Sequence, residues 1–174
     1  MARKEILNIK KRWGLYYGEP YKLDLYDRKI LLELQDNARQ TLQELHQKIG
    51  LSRDAIRNRI DRLIKADVIL GFTLTLNHPK VGFPIISYVL LALENVNPEA
   101  EERFIKYIRN HQKIIYAASL IGKWDYVLYV VARNPGDFSA ILKELRTNFP
   151  DLIKDYETFT VLEEFKYEEV NTAI

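Results

Sequence analysis

Arg53, Arg57, Asn58, Arg62 and Lys65 are gathered, with Asp54 and Asp61 between them, in the stretch SRDAIRNRIDRLIKAD from Ser52 to Asp67. These side chains suit the reading of a nucleic-acid duplex. A guanidinium fork matches O6 and N7 of guanine, an Asn amide matches N6 and N7 of adenine, and Arg or Lys neutralises phosphate. Ile56, Ile60, Leu63 and Ile64 fall at i, i+4, i+7 and i+8, one inward stripe of a helix, so the polar set rides on the opposite face. Ser52 is placed to cap that helix through its hydroxyl. Five cations oppose two carboxylates over residues 53–65, a balance of +3 in a chain whose whole charge is +2. A solvated amphipathic helix would show the same pattern, so the preceding elements have to decide.

Those elements point one way. Asp24 to Asp36 reads as a first helix, with Asp24 and Asp27 in its first turn and Ile30, Leu31 and Leu34 on its buried side. Thr41-Leu-Gln-Glu44 is a capping box that opens a second helix burying Leu42, Leu45 and Ile49. Gly50 ends it as a left-handed C′ residue, and Ser52 opens the basic helix at once. A short capped helix, a glycine turn and a longer basic helix form a helix-turn-helix, which lays its last helix in the major groove.

The chain around this unit is ordinary in bulk. It has 174 residues, 47% hydrophobic and 29% charged, with a pI near 8.6. No run of about 18 apolar residues is present for a membrane span and Met1 to Arg12 lacks a secretory pattern, so a cytoplasmic location is expected. The absence of cysteine excludes disulfides, thiolate nucleophiles and cysteine metal sites. His46, His78 and His111 are isolated, and no glycine-rich phosphate loop occurs, so no metal or cofactor and no enzymatic activity are expected. Charge is unevenly spread, at +4 over residues 1–23, +1 over 24–70 and −3 over 71–174. Such asymmetry fits a chain that meets a polyanion at one end.

Residues 1–22 form a basic and aromatic arm, with Lys10-Lys11-Arg12 followed by Trp13, Tyr16, Tyr17 and Tyr21. It reads either as a strap on the next domain or as an arm on DNA phosphate. After the helix-turn-helix domain of residues 23–70, Val68 to Leu76 reads as a strand, serving as a wing or as a linker. The turn signals at 77–84 place a linker and hinge over 71–83.

Residues 84–174 contain an internal repeat. Tyr88-Val89-Leu90 recurs as Tyr126-Val127-Leu128, and Asn97-Pro98 as Asn134-Pro135. A shift of 37 maps Phe104, Ile105, Ile108 and Arg109 onto Ile141, Leu142, Leu145 and Arg146. Each half is a strand, a proline-opened helix and a following strand, the latter at 114–121 and 154–163. Two halves predict a βαββαβ ferredoxin-like fold, a four-stranded antiparallel sheet with both helices on one face. The fold class is therefore α+β, a winged helix-turn-helix domain followed by a ferredoxin-like domain. The strands are apolar on both faces, which predicts that the free face is covered by a second copy in a symmetric homodimer. A dimer also pairs two helices for a palindromic duplex site.

LDxxDxxIL at 23–31, LQDNAR at 34–39, GLS at 50–52, RIDRL at 59–63 and VIxGF at 68–72 occur in an order that resembles the Lrp/AsnC feast/famine family of transcriptional regulators. The βαββαβ unit, with its turn at Gly122-Lys-Trp-Asp125, is similar to that family's amino-acid-sensing module. The resemblance spans about residues 23–165 and implies double-stranded DNA as partner, dimers that associate into tetramers or octamers, and a small amino-acid effector bound between dimers. Gly122 and Asp125 match the family's effector-loop motif. Two positions depart from the pattern. His46 stands where the second helix usually carries alanine, and Ile121 stands where a hydroxyl commonly precedes the motif glycine.

The candidate DNA-contacting residues are thus Ser52, Arg53, Asp54, Arg57, Asn58, Arg62 and Lys65, with Arg62 and Lys65 assigned to phosphate. Arg59 flanks the buried stripe and is expected in an ion pair. Asp54 either pairs with Arg57 or Asn58 or accepts from cytosine. Gly122 fits a hairpin turn as well as an effector contact, and Asp125 fits local turn bonding equally. Two functions remain in view: a sequence-specific regulator answering to an effector, and an effector-independent architectural DNA-binding protein.

Overall fold

The computed structural model describes residues 19–166. These fall into two compact units, one ending at Leu74 and joined by Lys166, the other spanning Thr75–Phe165.

The first unit is built from α1 (Leu25–Asp36), α2 (Leu42–Ile49) and α3 (Arg53–Lys65). Each begins on the cap its sequence offers. Asp24 and Asp27 form a reciprocal capping box on α1, Thr41 and Glu44 form another on α2, and the Ser52 hydroxyl accepts from Ala55 N at 3.2 Å. Gly50 adopts φ +83, the left-handed conformation that lets the chain turn directly into α3. Ile30, Leu45, Ile49 and Ile56 make the core, with Leu34, Leu42, Leu51 and Ile60 packed on it. His46, in the position where alanine is usual, sits exposed on α2. Its Nδ1–H donates to the Leu51 carbonyl at 2.7 Å and stitches the turn.

The expected strand over Val68–Leu76 does not form. These residues pair with no strand among the described residues, and Phe72, Leu74 and Leu76 are exposed. Extended residues become a strand only through a ladder partner, and the described residues of this helical unit supply none. Instead Val68 and Ile69 both donate to the Leu63 carbonyl and close the end of α3.

The second unit is β1 (Ile85–Leu93), α4 (Pro98–Asn110), β2 (Ile114–Ser119), β3 (Tyr126–Ala132), α5 (Pro135–Asn148) and β4 (Ile153–Thr160). The sheet order is β2-β3-β1-β4, and each neighbouring pair is antiparallel. This is the ferredoxin-like arrangement. Both helices start on an asparagine cap with proline at the first turn: Asn97 accepts from Ala100 N at 2.9 Å and Asn134 from Asp137 N at 2.8 Å. Val89, Leu91, Tyr126, Leu128 and Val130 meet Phe104, Ile108, Ile141 and Leu145 beneath the helices.

The repeat holds, with one correction. Tyr88 lies on the free face beside Tyr129, whereas Tyr126 is buried under the helices. The Tyr-Val-Leu match is therefore one residue out of register, and a one-residue slip places every side chain on the opposite face. The shift of 37 that aligns the helices also aligns the strands, carrying Val89, Leu91 and Leu93 onto Tyr126, Leu128 and Val130.

Candidate nucleic-acid interface

On α3, Ile56 and Leu63 are fully buried, and Arg53, Asp54, Arg57, Asn58, Asp61 and Lys65 face solvent. Asp54 lies 3.4 Å from Arg57 Nη1, an exposed pair one turn apart that leaves the Arg57 side chain 60% accessible. Arg53, Asn58 and Lys65 have no ion pair or side-chain hydrogen bond among the described residues.

Arg59 and Arg62 are held differently. Asp27 in α1 is 1% exposed, and it accepts from Arg59 Nη1 at 2.7 Å and from Arg62 Nη2 at 2.8 and 2.9 Å. Asp24 takes Arg59 Nη1 as well, at 2.5 Å, while capping α1 through the amides of Tyr26 and Asp27. The Arg59 guanidinium beside it holds the Asp24 carboxyl below its ordinary range, and the amides add to this. Arg59 is thus the ion-pair residue its position suggested. Arg62, expected to meet phosphate, is half exposed and also paired with the buried Asp27 carboxylate. Lys48 and Glu33 tie α2 to α1 at 2.6 Å in the same manner.

The loop at 120–125 is anchored to β1 through Asp125. Gly122 has φ +152, a conformation that side chains resist. Asp125 Oδ2 accepts from Leu93 N at 2.7 Å, Asp125 N donates to the Leu91 carbonyl, and Leu120 N donates to the Asp125 carbonyl. Ile121 is wholly exposed, and the Lys123 ammonium lies 4.7 Å from the Trp124 ring centroid. Gly122 and Asp125 are thus brought together in one turn, apart from the candidate residues of α3 in the chain.

Two family models match: a winged helix-turn-helix DNA-binding model over residues 23–69 and an Lrp/AsnC ligand binding domain over 87–170. The leucine-responsive regulatory protein of Haemophilus influenzae is 31% identical over 144 residues, covering 83% of this chain and 86% of that protein. This chain belongs to the Lrp/AsnC family. An AsnC family transcriptional regulator from Agrobacterium tumefaciens has a solved structure that is similar at TM-score 0.76 and 26% identity, over 83% of this chain and 94% of that one. The L-Met complex of a Neisseria meningitidis transcriptional regulator shares the fold at TM-score 0.79 and 24% identity, over 88% of this chain and 100% of that one. This Lrp/AsnC member is accordingly a transcriptional regulator with a DNA-binding helix-turn-helix and a ligand-binding domain, and not an enzyme. No helix among its described residues is long and apolar enough to cross a membrane.

The sequence reading missed Asp27 as a partner of this regulator's third helix. The available signal was a pair of aspartates three residues apart at a helix start, with carboxylate oxygens beyond those the capping box uses, and a later helix whose Arg59 and Arg62 are also three apart. The expected arm of residues 1–22 falls outside the described residues except for 19–22.

Proposed function

We propose that this regulator binds duplex DNA sequence-specifically as a homodimer, with Arg57 and Asn58 reading base edges, and Ser52, Arg53 and Lys65 engaging phosphate. Asp54 sets the direction of Arg57 through their pair. The observation that carries this reading is the solvent face of α3, where Arg53, Arg57, Asn58 and Lys65 are exposed while Ile56 and Leu63 are buried. The domain plan assigns DNA contact to residues 23–70, a linker and hinge to 71–83, and dimerisation with effector binding to 84–174, in a cytoplasmic protein.

Dimerisation rests on the face of the sheet away from the helices, beside the part where Phe83 and Val161 already cover Ile86, Tyr129 and Val131. Tyr88, Tyr116 and Phe159 stand there at 41%, 47% and 49% exposure, with Leu90, Ala92 and Val127 around them. A row of aromatic and aliphatic side chains of this kind is the self-complementary patch that two-fold symmetry doubles. Assembly of dimers into tetramers or octamers is part of the same reading.

The effector is an amino acid, in keeping with the ligand-binding domain and the leucine-responsive relative. Asp125 spends Oδ2 on Leu93 N, leaving Oδ1 for an ammonium group, and Gly122 keeps the approach open. The exposed, apolar Ile121 favours the second reading, an architectural protein without an effector. Melting in the presence of an amino-acid panel separates the two, since a ligand that binds only the folded form raises Tm. A raised Tm supports the effector, and an unmoved Tm near saturation supports the architectural reading.

DNA reading is tested by titrating the protein's own promoter and a random duplex at several salt concentrations. Arg57→Ala is expected to cost about 1–3 kcal/mol on the preferred site. Equal affinity for promoter and random DNA would overturn specificity, and an unchanged affinity in the variant would remove Arg57 from the reading set.

A further inference from the structure

Of the five cations on α3, two are answered by carboxylates of another helix. Arg59 is paired with Asp24 and Asp27, and Arg62 with Asp27. Counting Asp24 and Asp27 with α3 lowers the local balance from +3 to +1. The pairing is persistent for a physical reason. Asp27 is 1% exposed and takes three hydrogen bonds from the two arginines, two of them from Arg62, so drawing Arg62 off to a solvated phosphate would leave a buried carboxylate short of two donors, and losing both arginines would strand its charge in a low-dielectric site. Arg62 remains half exposed and within reach of solvent, yet its charge is already spent. Arg53, Arg57 and Lys65 have no such partner in α1.

We infer that Asp24 and Asp27 are positioning residues that decide which cations of the third helix meet DNA, withholding Arg59 and Arg62 from phosphate and leaving that work to Arg53, Arg57 and Lys65. This rests on the DNA-binding reading above and adds to it a limit on the electrostatic part of the affinity. Non-specific binding grows with the number of phosphates neutralised, so two withheld cations keep the protein from adhering to arbitrary sequence. The aspartates thus serve two ends at once, closing α1 onto α3 and trimming the charge of the reading face.

The test measures affinity for a random-sequence duplex against salt for the full-length protein and three variants. Asp24→Asn keeps a side chain that caps equally well, so the fold persists while one carboxylate charge is lost. It is expected to bind the random duplex several-fold more tightly at low salt and to steepen the log–log salt slope by up to about 0.9, the value for one added phosphate contact. Lys65→Gln is expected to flatten the slope by about the same amount, and Arg62→Gln to leave it at the wild-type value. A purely structural role for the aspartates would shift Tm without moving the slope. The inference is overturned if Arg62→Gln flattens the slope as Lys65→Gln does, or if Asp24→Asn leaves slope and affinity unchanged. The DNA-reading assignment fails separately, through an absent preference of the wild type for its promoter over the random duplex.

Discussion

The helical unit and the sheet unit each leave one surface unfinished, and they leave different kinds. In the helical unit the apolar stripes of three helices are consumed in a core around Ile30, Leu45 and Ile56, and what remains outside is charge on α3. In the sheet unit charge is spread over helices and loops, with Lys113 and Arg133 paired to Asp137, and what remains on the free face is apolar area around Tyr88, Tyr116 and Phe159. Unspent charge is an invitation to a polyanion, whereas unspent apolar area calls for a second protein surface. The contrast also runs within the sheet itself, whose two faces carry residues of similar hydrophobicity with different fates.

That contrast is breakable by substitution on the two faces. Leu128 is fully buried beneath the helices, and Leu128→Ala is expected to cost about 2–5 kcal/mol in chemical denaturation, through lost burial and the cavity left behind. The loss should be the same at any protein concentration, because the helix-covered core is complete within one chain. A smaller and different effect is expected at Tyr88 on the free face. Tyr88→Ala should weaken dimerisation by about 1–2 kcal/mol, roughly tenfold in the dimer dissociation constant, read by sedimentation over a dilution series. A variant that dimerises like the wild type would place the second copy elsewhere.

Much of this was legible in the chain because it is local. Thr41 with Glu44, Ser52 with Ala55 N, Gly50 at positive φ, and the two Asn-Pro helix starts each need only a few neighbouring residues, and each is where its sequence signal put it. The ferredoxin-like order followed from the repeat for the same reason, since the two helices share their spacing of buried residues. What failed depends on pairing at a distance. The strand over Val68–Leu76 had the right alternation and no ladder partner, and the Tyr-Val-Leu repeat had the right letters on the wrong face. The candidate DNA surface was legible as a face of α3 but not in its detail, because whether Arg62 is free depends on a buried aspartate 35 positions earlier.

The sheet unit contains its own version of the aspartate device, and it sharpens the comparison at the smallest scale. Asp137, in the first turn of α5, accepts from Arg133 N at 3.0 Å, with the Lys113 ammonium on its other oxygen and Arg133 Nε at 3.4 Å. The Arg133 amide, then the Lys113 ammonium, lower its pKa from the ordinary 3.8 to about 2. A folded-state pKa below the unfolded one means that the ionised carboxylate stabilises the fold. That contribution is complete above pH 4 or so and is lost as pH falls towards about 2. Asp137→Asn, which has no such proton to gain, should therefore lie below the wild type in stability at neutral pH and converge with it across that window. Denaturation at steps from pH 5 to 2 measures the gap, and a gap that stays constant would show that Asp137 contributes shape to this corner of the sheet and no charge.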